Sequence, residues 1–184
     1  MIFRQLFKSH ASPAPVRRVY DAIVAQARQP VLYAGLAVPD TVSGRFDMIV
    51  LHVFLVLDRL RQGDVAAREF AQSLTDELFS DMDRSLREMG VGDLSVAKKM
   101  RRMAEVFHGR LKAYGGVRTA GADDLAAVLK RNVYAGDDAP GNAQRLAAYV
   151  AALSRALAAT AVAELIAGRV DFGGAAHIID EEAS

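Results

Sequence analysis

The chain has 184 residues, a formal charge of +1 and neither cysteine nor tryptophan. That length fits one domain, burying roughly 70% of the surface its unfolded chain exposes; the missing cysteines exclude a disulfide framework, thiolate catalysis and cysteine-ligated metal, and the near-neutral charge removes any global attraction to nucleic acid or anionic lipid. Hydrophobic residues make up 52% and aromatics only 7%, an alanine-rich balance that favours packed helices over a sheet sandwich.

The opening MIFRQLFK places Ile2, Phe3, Leu6 and Phe7 on one side of a helix with Arg4 and Lys8 beside them, so residues 1–15 read as a basic amphipathic segment and linker. It lacks the apolar core of a signal peptide, and a cytoplasmic chain is expected. Val16, Val19, Tyr20, Ile23, Val24 and Ala27 follow helical spacing, predicting a first helix over 16–29 that Pro30 ends. Thr41 or Ser43 can cap a second helix that is apolar nearly all round over 48–57, as suits the centre of a core. The run falls short of the roughly 18 residues a membrane-spanning helix needs.

Asp64 can cap a third helix reaching Met89, with Gly90 placed to end it in the left-handed conformation. Its apolar residues Phe70, Leu74, Leu78, Met82 and Leu86 recur every four positions, which drifts around a 3.6-residue helix and asks for a wide buried face or a bend. Ser95 is the expected cap of a fourth helix with the stripe Val96, Met100, Met103, Phe107, Leu111 and Tyr114, stopped by Gly115 and Gly116. A shorter helix over 123–134 follows, then a long one over 142–167 with Leu146, Val150, Leu153, Leu157, Ala161 and Leu165 as its seam. No stretch alternates like a strand. The expected fold is an all-α, single-domain bundle of about six helices over 16–175, with an acidic tail over 176–184.

Catalytic patterns are absent or fragmentary. GVGDLS at 90–95 follows a helix and lacks the last glycine of a dinucleotide loop, and Asp171-Phe172-Gly173 stands without the rest of a kinase. The histidines, His10, His52, His108 and His177, show no metal-ligand spacing. His52 lies in the most apolar helix and is expected to be a neutral, hydrogen-bonded core residue. Asp81 and Asp83 lack the glycine and terminal glutamate of a calcium loop; pairs at i,i+4, Asp83 with Arg87 and Arg84 with Glu88, are the simpler account. Neither enzyme activity nor a cofactor is expected.

Lys98, Lys99, Arg101 and Arg102 are the informative oddity. They occupy the first two turns of a helix, where the macrodipole favours anions, and Arg110 and Lys112 extend the basic surface with Glu105 the only nearby acid. The expected partner-binding surface is therefore Lys98, Lys99, Arg101, Arg102, Met103, Phe107, Arg110 and Tyr114.

VPDTVSGRFDMIVLHVFLVLDRLR over 38–61 and LFSDMDRSLREMGVGDLSVAKKMRRMAEVFHGRLKAY over 78–114 resemble the two signature blocks of the ubiquinol-cytochrome c chaperone family. The matching positions include Pro39, Asp40, Gly44, Arg45, Phe46 and His52 in the first block, and Asp81, Asp83, Arg87, Glu88, Gly90, Lys98, Met103, Phe107 and Arg110 in the second. The resemblance implies a non-catalytic assembly factor that binds newly synthesised cytochrome b during steps that include haem insertion, with the ribosome or a membrane surface as further contacts. The short segment before the first block is similar to bacterial members working on the cytoplasmic side of the inner membrane. Pro39, Asp40, Arg45, Phe46, His52, Asp81, Asp83, Arg87 and Glu88 are expected to be architectural. A helical DNA-binding protein using residues 95–114, a lipid-binding module and a small helical enzyme are the alternatives, none with specific nucleic-acid spacing.

Overall fold

Pro15 opens the first helix, α1 (Ala14–Ala27), where its missing N–H costs nothing. The computed structural model describes residues 12–118, 121–136 and 141–174; of the expected amphipathic segment and linker over 1–15, residues 1–11 lie outside these, as does the acidic tail over 176–184, while Ala14 and Pro15 already belong to α1. Pro30 does not merely end α1: it occupies the first turn of a separate short helix, α2 (Pro30–Ala34).

Thr41 caps α3 (Val42–Leu60), its hydroxyl accepting from the Gly44 amide at 3.0 Å. The run from Phe46 to Val53 is buried on every side, and Leu55, Val56 and Leu60 continue it, so α3 is the central element the composition predicts. Gly44 is required by packing: a Cβ there would stand 2.0 Å from the Pro39 carbonyl oxygen, because the VPDT loop lies directly on the first turn of α3.

Asp64 caps α4 (Val65–Glu88) through the Ala67 amide. The helix ends as expected, with Gly90 at φ +77° and the Val91 amide reaching back to the Leu86 carbonyl at 3.1 Å. Phe70, Leu74, Leu78, Met82 and Leu86 are all buried. Each four-residue step advances the stripe about 40°, and α4 accommodates the drift by packing along its length against α1, α3, α5 and α8.

α5 (Asp93–Gly116) starts two residues before the expected cap: Gly92 is the N-cap, without a side-chain bond, and Ser95 lies inside the first turn. α6 (Ala122–Val133) follows, its first turn carrying Asp123 and Asp124 and its last Lys130 and Arg131, in keeping with the helix dipole. The expected long last helix is broken into α7 (Asn142–Ala159) and α8 (Val162–Ile166) by Thr160 and Ala161 in extended conformation. The guanidinium of Arg59 holds the break, donating to the Leu157 and Thr160 carbonyls at 2.8 to 3.1 Å. Ala161, expected in the seam, is exposed.

Among the described residues there are eight helical segments and no strand, so the fold is an all-α bundle. Asp47 meets Arg110 and Phe54 meets Tyr114, which makes α5 parallel to α3 and antiparallel to α4. The α4–α5 turn therefore sits at the same end of the bundle as the VPDT loop.

Candidate functional site

At that end, Arg45 binds Asp40 through two contacts, at 2.5 and 3.2 Å, and lies 6.0 Å above the Tyr33 ring. The ion pair holds the Asp40 carboxyl below its usual range. Pro39 is exposed and Phe46 buried beneath the loop. In α4, Asp81 accepts from the Tyr20 hydroxyl of α1 at 2.9 Å and also pairs with Arg84. Burial first, and the neighbouring Asp81 second, push the Tyr20 phenol upward. Asp83 pairs with Arg87 at 2.7 Å, and Arg87 continues to Asp93 at 2.6 Å, so one guanidinium bridges the last turn of α4 and the first of α5. Arg84 turns to Asp81 three residues back, not to Glu88, which stays exposed.

His52 is fully buried. Its Nδ1 lies 2.7 Å from the Met48 carbonyl, which can only accept, so Nδ1 carries the proton and Nε2 accepts. Nε2 is 2.8 Å from the Tyr149 hydroxyl, whose oxygen in turn accepts from Gln26 at 2.9 Å. This chain ties α1, α7 and α3 together. Burial pushes the imidazole down to about 4, so it is neutral near pH 7.

The eight residues expected to bind a partner divide. Phe107 and Tyr114 are 2% and 1% exposed and belong to the core. Arg110 points inward: it donates to Asp47 at 3.0 Å, to the Asn132 side chain at 2.8 Å and to the Asn132 carbonyl at 2.7 Å. Desolvation pushes the Asp47 carboxyl up despite this partner. Lys98, Lys99, Arg101 and Arg102 are exposed, with no ion pair to a described residue, and Met103 is half-buried at their flank.

Two features escaped sequence reasoning. Leu94 is 93% exposed and Met89 56% exposed, on either side of the α4–α5 turn. The signal was available: Leu94 stands two residues before Val96, hence on the opposite face of α5 from the buried stripe. The second is a groove of about 460 Å³ at the other end of α5, with Phe54, Leu57, Ala71 and Leu111 in its floor and Arg61, Arg68 and Arg118 on its rim. Its signal is distributed over three helices. Asp58 joins that rim, paired with Arg61 and Arg118 at 3.3 Å each. No cluster of metal-ligating side chains and no membrane-spanning helix occurs among the described residues.

The sequence profile of the ubiquinol-cytochrome c chaperone family matches residues 34–172. The chain belongs to that family. Its fold is similar to the crystal structure of the Cbp3 homolog from Brucella abortus, with a TM-score of 0.79 and 41% identity over 89% of this chain and 91% of that one. Ubiquinol-cytochrome-c reductase complex assembly factor 1 of Xenopus laevis is 25% identical over 116 residues, 63% of this chain and 58% of the relative. The mouse protein of that name is 24% identical over 117 residues, 64% of this chain and 40% of its own. The match thus spans about three fifths and two fifths of these relatives. Within the chaperone family region fall both α5 with its cations and the groove.

Proposed function

We propose that this chain is a non-enzymatic assembly factor for the ubiquinol-cytochrome c reductase complex, and that it captures newly synthesised cytochrome b from the cytoplasmic side of the inner membrane. Family membership and the names of the two animal relatives support the first part. The observation that carries the second is the construction of α5, which has an open apolar groove beside one end and, towards the other, four exposed cations without an ion pair among the described residues. A chaperone without an energy source binds by complementarity alone, and an apolar groove rimmed by arginine suits the apolar segments and loop carboxylates of a membrane protein. Met103 adds an adaptable side chain between the two ends. The α5 cations then set encounter more than final packing.

The experiment is recovery of cytochrome b and assembled complex with the tagged chain, from membranes solubilised during assembly. Reversing Lys98, Lys99, Arg101 and Arg102 to glutamate keeps the helix, because all four side chains are exposed and lie inside α5 where glutamate is a good helix former, and lowers cytochrome b capture by about tenfold in a salt-dependent way. Wild-type recovery from the folded quadruple variant overturns this reading. A gel shift with duplex DNA separates the DNA-binding alternative and is expected to be negative.

A further inference from the structure

We infer that the α4–α5 turn is a membrane-contact element, in which Met89 and Leu94 enter the headgroup region of an anionic phospholipid bilayer while Lys98 and Arg101 meet its phosphates. Four large apolar side chains stand exposed among the described residues; Val65, at 59%, begins α4 at the opposite end, whereas Met89 and Leu94, at 56% and 93%, flank a single turn. Leu94, Lys98 and Arg101 fall at i, i+4 and i+7 of α5, which places them on one outward face. Val42, 69% exposed at the start of α3, belongs to the same end of the bundle.

The shape and charge of the tip select the occupant. A turn between antiparallel helices is convex, so it offers no concavity to hold a peptide segment, whereas a bilayer accepts protruding side chains. Between Met89 and Arg102 stand four cations and one acid, Asp93, which Arg87 already pairs; Glu88 lies just before and Glu105 one turn beyond. Those cations begin only in the second turn of α5, so its dipole neither opposes nor selects them, and an anionic surface supplies the counter-charge that no described residue gives them. Two partly inserted side chains alone bind weakly and reversibly, so basic and apolar contributions are both needed. The groove is about 25 Å away along α5 at about 1.5 Å per residue, which leaves it open to a client while the tip rests on lipid.

The test is flotation of the full chain with vesicles of phosphatidylcholine, with and without phosphatidylglycerol, in the absence of cytochrome b. The inference thereby stands or falls apart from the client reading, with which it shares only the α5 cations. The wild-type chain floats with the anionic vesicles and about tenfold less with the neutral ones. Met89→Ser with Leu94→Ser, which keeps the charge, and Lys98→Glu with Arg101→Glu each lower binding by about tenfold, with circular dichroism unchanged because all four side chains are exposed. Arg61→Glu with Arg68→Glu, the same charge change at the groove, leaves flotation as in the wild type. No binding to anionic vesicles, wild-type flotation of the Met89/Leu94 variant, or an equal loss from the Arg61/Arg68 variant each overturns the assignment. Tip variants that lose cytochrome b yet float normally overturn it too, and make the turn a client surface.

Discussion

The Tyr149 hydroxyl donates to Nε2 of His52 across 2.8 Å and so joins α7 to the middle of α3, with Gln26 of α1 closing the chain from the far side. Tyr149→Phe removes the donor and leaves a buried ring nitrogen unsatisfied, which costs about 1–3 kcal/mol. Denaturant unfolding measures it. Gln26→Leu removes only the outermost bond, and a smaller loss is expected.

The same histidine makes stability depend on pH. Its folded value of about 4 lies below the ordinary 6.5, so between those values the unfolded chain binds the proton and the folded one does not. Stability therefore falls as pH drops from about 6.5 towards 4, by up to about 3 kcal/mol at the rate of about 1.4 kcal/mol per unit. Asp47 acts oppositely, because burial raises its folded value above 3.8 and favours the protonated folded state at low pH. The comparison that isolates His52 is with His52→Gln, whose unfolding free energy loses this part of the slope; parallel pH profiles for the two proteins contradict the assignment.

Gly44→Ala places a Cβ 2.0 Å from the Pro39 carbonyl oxygen, a backbone atom that cannot rotate away. The VPDT loop must shift or α3 must start later. A loss of about 1–3 kcal/mol is expected from such overpacking, read as a lower thermal midpoint, whereas Ser43→Ala beside it changes little because Thr41 provides the cap.

What was legible in the sequence is what local chemistry decides. Thr41, Asp64 and Gly90 mark helix ends through bonds to residues within five positions, and the caps stand where their types predict. The break at Thr160 was not legible, since the group that holds it is Arg59, about a hundred positions away in sequence. Arg110 carried a partial signal: three residues after Phe107 and four before Tyr114, it lies beside the buried stripe, and its partners Asp47 and Asn132 come from other helices. For the candidate surface, the four cations could be read as a cluster of one sign, although the helix dipole does not single them out, because α5 starts at Asp93 and puts Lys98 in its second turn; the groove could not, because α3, α4 and α5 each contribute only part of it.

Arg87 bridges α4 and α5 through Asp83 and Asp93, with its own side chain about half exposed. Exposed pairs contribute little, so Arg87→Ala barely lowers the global stability. The larger effect is local: amide exchange at Val91 to Leu94 speeds up while the protection of α3 stays unchanged. Equal acceleration throughout the bundle indicates that the bridge acts globally instead.

Arg101 and Arg110 are cations of the same helix with opposite roles, and paired substitutions separate them. Arg110→Gln leaves Asp47, 8% exposed, without its charged partner, and strands part of the Asn132 side chain and carbonyl as well. Breaking a buried pair on one side costs about 3–5 kcal/mol, so the thermal midpoint drops and cytochrome b capture falls in step with the folded fraction. Adding Asp47→Asn to Arg110→Gln removes the uncompensated charge and recovers part of that loss. Arg101→Gln removes an exposed charge with no described partner and leaves the unfolding free energy within about 0.5 kcal/mol of the parent. Any fall in capture by this second variant is a property of the surface and grows weaker as salt is raised. Should Arg110→Gln keep its midpoint and lose capture all the same, Arg110 is a client contact and the inward network is secondary.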